Sequence, residues 1–250
     1  MYQDILYSVE DGIAILTINR PKVLNAIRLQ TYHDIIAALK ESDSNDQVKV
    51  MVITGAEGRF SAGNDLSDLL PGADLQALNQ CVIDVFDALA GFSKPLILAQ
   101  EGVAVGIACN MLLHADIAYA GQSTRYSLPF AKIGVTSEGA CSVLLSEAIG
   151  PKRAQELLFT GRFFTADEAE RWGLITAKVE DGKALETALN TAKELLKNSQ
   201  DSIISIKKLG KAEGHHERVN KAVKAELELF TELLETKETQ ARINQVLKRG

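Results

Sequence analysis

The sequence lacks the residue patterns that mark metal sites, disulfide frameworks and membrane spans. Its three cysteines have no C-x-x-C spacing and lie among apolar residues, so buried thiols are expected rather than disulfides or metal ligands. Its four histidines form no H-E-x-x-H pattern, and no apolar run reaches the ~18 residues of a membrane span. The segment "MYQDILYSVEDG" carries acids and no long apolar core, unlike a signal peptide. We therefore predict a cytoplasmic protein without a bound metal.

An excess of positive charge is also absent. The 27 basic and 33 acidic residues give a net charge of -6, which disfavours general binding to nucleic acid or membrane surfaces. Hydrophobic residues make up 46% of the chain and charged residues 24%, as in ordinary globular proteins. At 250 residues the chain can bury the core of one sizeable α/β domain, or of such a domain with a smaller appendage.

The first half of the chain alternates between strand and helix patterns. "ILYSVEDGIAILTIN" predicts a hairpin that turns at Asp11-Gly12, and "LQTYHDIIAALKESDS" has the apolar spacing of a helix. "VKVMVITGA" is a continuous apolar run typical of a strand covered on both faces. A helix in "LQALNQCVIDVFDALAGF" and strands in "KPLILAQEG", "IAYA" and "TRYSL" follow. This alternation predicts a layered α/β core with right-handed crossovers.

The chain from Ser137 onward is predicted to be almost entirely helical. Thr165 and Glu168 have the spacing of a capping box, and Gly173 is placed to end the same helix. We place a domain boundary near residue 200. Residues 1–200 then form the core, and residues 201–250 form a helical region that packs on this core or on a neighbouring subunit.

Two loops have an arrangement that suits a negatively charged oxygen. "ITGAEGRFSAGNDL" and "LAQEGVAVGIACNM" each run from a buried strand through glycine towards a helix start, where backbone N–H groups lack partners. Two such groups aimed at one carbonyl oxygen form an oxyanion hole. Each loop alone is more often a plain α/β turn, and it is the presence of both loops that favours an oxyanion hole. The sequence has no dinucleotide fingerprint, no P-loop and no G-x-S-x-G elbow.

Long segments of the chain resemble the enoyl-CoA hydratase/isomerase (crotonase) superfamily: "ILTINRPKVLNAI", "GRFSAGNDL", "KPLILAQEGVAVGIACNMLLHADIAYA" and "YSLPFAKIGVTSEGACSVLLSEAIGPKRAQELLFTGRFFTADEAERWGLI". The resemblance implies a crotonase-like ββα spiral core with a helical C-terminal trimerisation region. It also implies a homotrimer or a dimer of trimers acting on acyl-CoA. No separate cofactor is expected, since coenzyme A is part of the substrate. By the same resemblance, the backbone amides of Asn64 and Ile107 hold the thioester oxygen.

The acidic residues distinguish the branches of this superfamily. The two glutamates that serve hydration correspond to Asn110 and Phe130 here, and neither residue is a general base. Glu138 in "GVTSEGACS" is similar to the glutamate of the peroxisomal-type Δ3,Δ2-enoyl-CoA isomerase branch, although Ser137 stands where proline is expected. Without the resemblance, Glu138 is equally well explained as a first-turn acid of a helix. A helix start lowers the pKa of a carboxyl group and an apolar pocket raises it, so the direction stays open.

The resemblance also suggests which residues hold coenzyme A, in two segments and one glycine. These residues are Lys22, Val23, Leu24, Ala26, Ala62, Gly63, Asp65, Leu66 and Gly106. Lys207 and Lys208 are weaker candidates for a CoA phosphate, because isolated lysines are usually solvated surface residues.

The expected activity is therefore a shift of the double bond of 3-enoyl-CoA to trans-2-enoyl-CoA, in fatty-acid β-oxidation. Glu138 serves as the proton shuttle in this hypothesis. Two alternatives stay open at the level of the sequence. One is hydration or another reaction through a CoA-thioester enolate, and the other is a crotonase-fold binding module without catalysis.

Overall fold

Two β-sheets and eleven α-helices form the part of the chain that the structure, a computed structural model, describes: residues 2–248. The strands are β1 Ile5–Glu10, β2 Ile13–Ile18, β3 Val50–Gly55, β4 Leu96–Gln100, β5 Val103–Val105, β6 Ile117–Gly121, β7 Arg125–Ser127, β8 Phe163–Thr165 and β9 Ala177–Val179. The helices are α1 Leu29–Ser44, α2 Leu75–Gly91, α3 Ile107–Asn110, α4 Phe130–Ile133, α5 Cys141–Ile149, α6 Pro151–Thr160, α7 Ala166–Arg171, α8 Ala184–Leu196, α9 Gln200–Gly210, α10 His215–Leu234 and α11 Lys237–Leu247.

The larger sheet has the strand order β1-β2-β3-β4-β6-β9. β1 and β2 form the predicted hairpin, and Asp11 and Gly12 adopt the positive φ angles of 48° and 84° that a tight turn requires. The other neighbouring strands are parallel. Apolar clusters cover both faces of β3, with Met51 and Ile53 on one side and the partners of Val52 on the other. The prediction of a strand buried on both faces is confirmed.

The smaller sheet has the order β5-β7-β8, in which β7 and β8 are antiparallel. The prediction of an almost entirely helical second half is confirmed for α5 to α11, but it missed β8 and β9. Each of these strands has three residues, too few for a period-2 pattern to be visible. Pairing with β7 and β6, which lie far away in the sequence, determines both strands.

The helices after residue 200 pack on the core of the same chain. α10 lies against α2, and it buries Val219, Val223, Leu227 and Phe230 on one side. The charged C-terminal stretch forms two helices, because Thr236 caps the start of α11 through its side chain. No helix within residues 2–248 combines the length and apolar character needed to cross a bilayer. The boundary near residue 200 and packing on a neighbouring subunit stay predictions.

Candidate active site

The two glycine-containing loops lie side by side. The Ser61 N–H donates to the Val103 carbonyl at 3.0 Å, and the Val105 N–H donates to the Ser61 carbonyl at 3.1 Å. A Cβ on Gly63, which has φ +88°, would lie 2.5 Å from the Val105 carbonyl oxygen, so a side chain cannot be accommodated there. The second loop enters α3 as expected. The first loop instead enters a 3-10 turn, Leu66–Leu69, which corrects the expectation of a helix start.

The backbone amides of Asn64 and Ile107 remain available for a ligand. Neither N–H group has a hydrogen-bond acceptor among residues 2–248. The flanking amides are occupied: Gly63 donates to the Ser61 hydroxyl at 3.0 Å, and Gly106 donates to the Ser127 carbonyl at 2.9 Å. Both Asn64 and Ile107 line one cavity. Two unpaired donors in one cavity meet the requirement of an oxyanion hole.

This cavity has a volume of about 250 Å³ and mostly apolar walls. Its walls come from both loops, from residues 129–133, and from the C-terminal helices through Phe230 and Val246. Glu138 is the only acid among the described residues that line it. The cavity therefore places one carboxyl group beside the two available amides.

The Glu138 side chain is almost fully enclosed, with 2% of its surface exposed. The Asn64 amide nitrogen Nδ2 donates to Glu138 Oε1 at 2.9 Å, and the Tyr32 hydroxyl donates to Asn64 Oδ1 at 2.5 Å. Burial, with a smaller contribution from the charge of Glu226, raises the pKa of Glu138 to about 8, against the opposing effect of the Asn64 hydrogen bond. A carboxyl group with such a pKa can both accept and return a proton near neutral pH.

The backbone around Glu138 is held by two buried side chains. The Asn110 Nδ2 donates to the Glu138 carbonyl at 2.7 Å, and the His114 Nε2 lies 2.9 Å from the Gly139 carbonyl. Burial lowers the pKa of His114 to about 4, so the ring is neutral at working pH and carries its proton on Nε2. Asn110 stands at one of the expected hydratase acid positions, and its amide is used to fix the chain at Glu138.

Comparison with known proteins identifies the family to which this chain belongs. The model of the enoyl-CoA hydratase/isomerase family matches residues 8–249. The chain belongs to this family. Some of its relatives are named isomerases and others are named hydratases. Human enoyl-CoA delta isomerase 2 is 35% identical over 72% of this chain. The chain covers only 47% of the length of the human protein. Short-chain-enoyl-CoA hydratase of Clostridium acetobutylicum is 29% identical over 94% of this chain and 91% of that protein.

Solved structures agree with the family assignment. The structure of Pseudomonas aeruginosa OdaA superimposes with a TM-score of 0.93 at 31% sequence identity, covering 98% of this chain and 99% of that chain. The predicted crotonase-like α/β fold with a helical C-terminal region is confirmed. Membership of the enoyl-CoA hydratase/isomerase family, with isomerases among the relatives, agrees with the resemblance.

The residues expected to hold coenzyme A fall into two groups in this family member. Ala62, Gly63, Leu66 and Gly106 line the cavity together with the oxyanion-hole amides. The remaining residues do not line it: Lys22, Val23, Leu24, Ala26 and Asp65.

The segment around Lys22 nevertheless lies beside the first loop. The Ala62 N–H donates to the Leu24 carbonyl at 2.9 Å, and the Val23 and Leu24 side chains are exposed. The Asp65 carboxylate is bound to Arg20 at 3.0 Å and to the Ser67 hydroxyl at 2.7 Å. The role of these residues in CoA binding stays a prediction.

Lys207 is not available for a CoA phosphate. Its ammonium group donates to the Asp116 carboxylate and to the Lys94 carbonyl, each at 2.7 Å, and its side chain is 8% exposed. The Asp116 carboxylate also accepts the Leu96 N–H at 2.8 Å. Lys207 therefore joins α9 to the sheet, and the weak prediction of a phosphate contact was wrong for this residue.

Sequence reasoning missed three residues in or beside the site: Phe230 lines the cavity, Tyr32 contacts Asn64, and Glu226 contacts the chain next to Glu138. Tyr32 was seen only as part of the apolar pattern of α1, and the pattern gives no sign of a hydroxyl contact to Asn64. Glu226 did leave a signal. It lies on the buried side of α10, whose other buried residues are all apolar. An acid at such a position needs a partner inside the protein.

Proposed function

We propose that this protein moves the double bond of a 3-enoyl-CoA to the trans-2 position. The observation that carries the proposal concerns residues 2–248: Glu138 is the one carboxyl group that lines the apolar cavity, and the Asn64 and Ile107 amides in it have no acceptor there. A 1,3-proton shift requires one group that takes and returns a proton, and it requires no activated water. This protein offers that set of groups.

The proposed reaction begins when the Glu138 carboxylate removes a proton from C2 of the substrate. The electrons of that C–H bond form the enolate, whose oxygen receives hydrogen bonds from the amides of Asn64 and Ile107. Such a donor contributes about 3 kcal/mol to stabilising the developing charge. The protonated Glu138 then gives the same proton to C4, and the double bond moves from C3–C4 to C2–C3. The carboxylate is restored.

Asn64 has two roles in this proposal. Its backbone N–H serves the enolate oxygen, and its side chain donates to Glu138 at 2.9 Å. The second hydrogen bond favours the ionised carboxylate that starts the reaction, and it opposes the effect of burial on the pKa of Glu138. The Tyr32 hydroxyl fixes the orientation of the Asn64 amide, since it donates to Oδ1.

The two expected hydratase positions support isomerisation over hydration. The Asn110 amide donates to the Glu138 carbonyl, and Phe130 forms part of the cavity wall. Neither side chain can take a proton from water. We extend the proposal to a cytoplasmic enzyme of fatty-acid β-oxidation that assembles as a homotrimer or a dimer of trimers. It uses coenzyme A as part of its substrate and needs no separate cofactor.

The test compares two assays on the purified protein: conversion of a 3-enoyl-CoA to its trans-2 isomer, and hydration of crotonyl-CoA. Isomerisation should be the faster reaction by at least tenfold. Glu138→Gln should lower kcat for isomerisation by at least about a hundredfold, the scale of general acid–base catalysis, while CoA binding is retained. Glu228→Gln, an exposed acid on α10, is the control. Faster hydration, or full activity of Glu138→Gln, refutes the proposal. Failure to bind any acyl-CoA favours a binding module.

A further inference from the structure

The C-terminal helix α10 carries a buried acid that contacts the chain next to Glu138. Glu226 has 5% of its surface exposed. Its Oε2 accepts the Ala140 N–H at 2.8 Å, and its Oε1 accepts the Ser142 N–H at 2.7 Å. Both carboxylate oxygens are therefore used to bind backbone amides that lie within four residues of Glu138.

The backbone that Glu226 holds has an unfavourable conformation. Gly139 has φ +74° and Ala140 has φ +60°, although alanine carries the Cβ that disfavours this left-handed region. A Cβ on Gly139 would lie 2.3 Å from the Phe86 ring, so the turn also fits closely against α2. A segment of this kind keeps its shape when the surrounding groups fix it on several sides.

The backbone N–H groups that donate to Glu226 lie at the start of α5. A helix leaves its first N–H groups without partners inside the helix, and a negative charge at this end is favourable. Ala140 precedes α5, and its methyl side chain cannot cap the helix. Glu226 supplies both acceptors from another helix. Removing them would leave two N–H groups without partners beside the Glu138 turn.

We propose that Glu226 is a positioning residue that holds the Glu138 carboxylate in its reactive place through the amides of Ala140 and Ser142. This inference rests on the proposed role of Glu138 as the base. It makes α10 a part of the active site in a second way, besides the wall that Phe230 provides. Glu226 does not touch the substrate cavity, so its effect passes through the chain.

The charged groups near Glu226 determine how loss of its carboxylate should change the pKa of Glu138. Glu138 and the Cys141 thiol face it from the turn, and Arg218 and Lys221 line the same surface depression on its own helix. From α2, Asp87 lies near α10, where it contacts Asn220 and His216. The negative charge of Glu226 raises the pKa of Glu138. Loss of that charge should therefore lower the pKa of the base.

The experiment compares Glu226→Gln, Glu226→Asp and the matched control Glu228→Gln on the same helix, where Glu228 is exposed. Glutamine keeps one acceptor oxygen but turns an NH2 group towards an N–H donor. We expect Glu226→Gln to lower kcat for 3-enoyl-CoA at least tenfold with KM within twofold of the parent. The acid limb of its kcat/KM profile should move to lower pH.

The conservative variant separates positioning from a general loss of structure. Glu226→Asp keeps both oxygens and the charge but reaches less far, so we expect about a threefold loss of kcat and an acid limb at the parent position. Thermal unfolding verifies that each variant is folded. If Glu226→Gln does not fold, Glu226→Asp is interpreted alone. A lowered kcat at unchanged KM then supports the inference, and a parental kcat refutes it.

Two further outcomes identify which proposal fails. A folded Glu226→Gln protein with parental kcat and an unmoved acid limb refutes the positioning role, even when Glu138→Gln is inactive. A fully active Glu138→Gln protein refutes the proposed function, and the positioning role of Glu226 with it. Glu228→Gln should behave as the parent in every measurement.

Discussion

The side chain of Asn64 donates a hydrogen bond of 2.9 Å to the Glu138 carboxylate, while the backbone N–H of the same residue has no acceptor within residues 2–248. One residue thus links the two halves of the proposed chemistry, the base and the oxyanion hole. The two contacts come from different groups of Asn64, so mutation can separate them.

Replacing Asn64 by alanine should retain the backbone donor and remove the side-chain contact. We expect kcat to fall about ten- to a hundredfold, the range of general acid–base effects, with little change in KM. The pKa of Glu138 should rise further, because the hydrogen bond that lowers it is lost. Steady-state kinetics over a pH series test this expectation. Tyr32→Phe is the milder companion, since it removes only the hydroxyl that orients Asn64. Parental kinetics in Asn64→Ala would contradict the link.

The pH profile of the parent protein should have an acid limb set by Glu138. The base must be ionised in the free enzyme, and its pKa is raised to about 8 from an ordinary value of 4.5. Therefore kcat/KM should increase with pH until about pH 8 and then level off. A profile that is already flat above pH 6 would show that the carboxyl group is not the titrating base. Measurements on Asn64→Ala should show the limb at higher pH.

The free energy of unfolding should also depend on pH through Glu138. It should decrease over the pH range in which kcat/KM increases. The folded state binds the proton of Glu138 more tightly than the unfolded chain, so this residue lowers the free energy of unfolding as pH increases from 4.5 to about 8. The slope is at most about 1.4 kcal/mol per pH unit. Glu138→Gln buries no charge, so its thermal stability relative to the parent should increase across this range. A stability difference that does not change with pH would contradict the shifted pKa.

The chain-length preference should respond to Phe230, which lines the cavity. Truncation to alanine removes a cavity wall on α10, so kcat/KM for longer 3-enoyl-CoA substrates should increase relative to shorter ones. Since Phe230 is buried, the change should also cost about 3 kcal/mol of stability or more. Assays over a chain-length series, with Leu229→Ala as control, test the expectation. Leu229 is the exposed neighbour of Phe230. An unchanged chain-length preference would show that Phe230 does not limit the substrate.

Local signals in the sequence predicted the elements that local interactions determine. The Asp11-Gly12 turn and the capping box of Thr165 and Glu168 both form, since each needs only neighbouring residues. The short strands β8 and β9 were missed because distant strands define them. In the candidate site, the resemblance identified Glu138 and the two amides. It did not indicate the roles of Tyr32 or Glu226. The contact of Tyr32 with Asn64 spans 32 positions in the sequence, and that of Glu226 with Ala140 spans 86.

The separation of Glu226 and Ala140 in the sequence also affects when the site can form during protein synthesis. Glu226 follows Ala140 by 86 residues, so a ribosome adding about 5–20 residues per second makes it on the order of ten seconds later. During that interval the newly made turn has no acceptor for its amides, and the cavity has no wall from Phe230. On the proposed roles of Glu138 and Glu226, the active site is therefore completed only after α10 has been synthesised and has packed on α2.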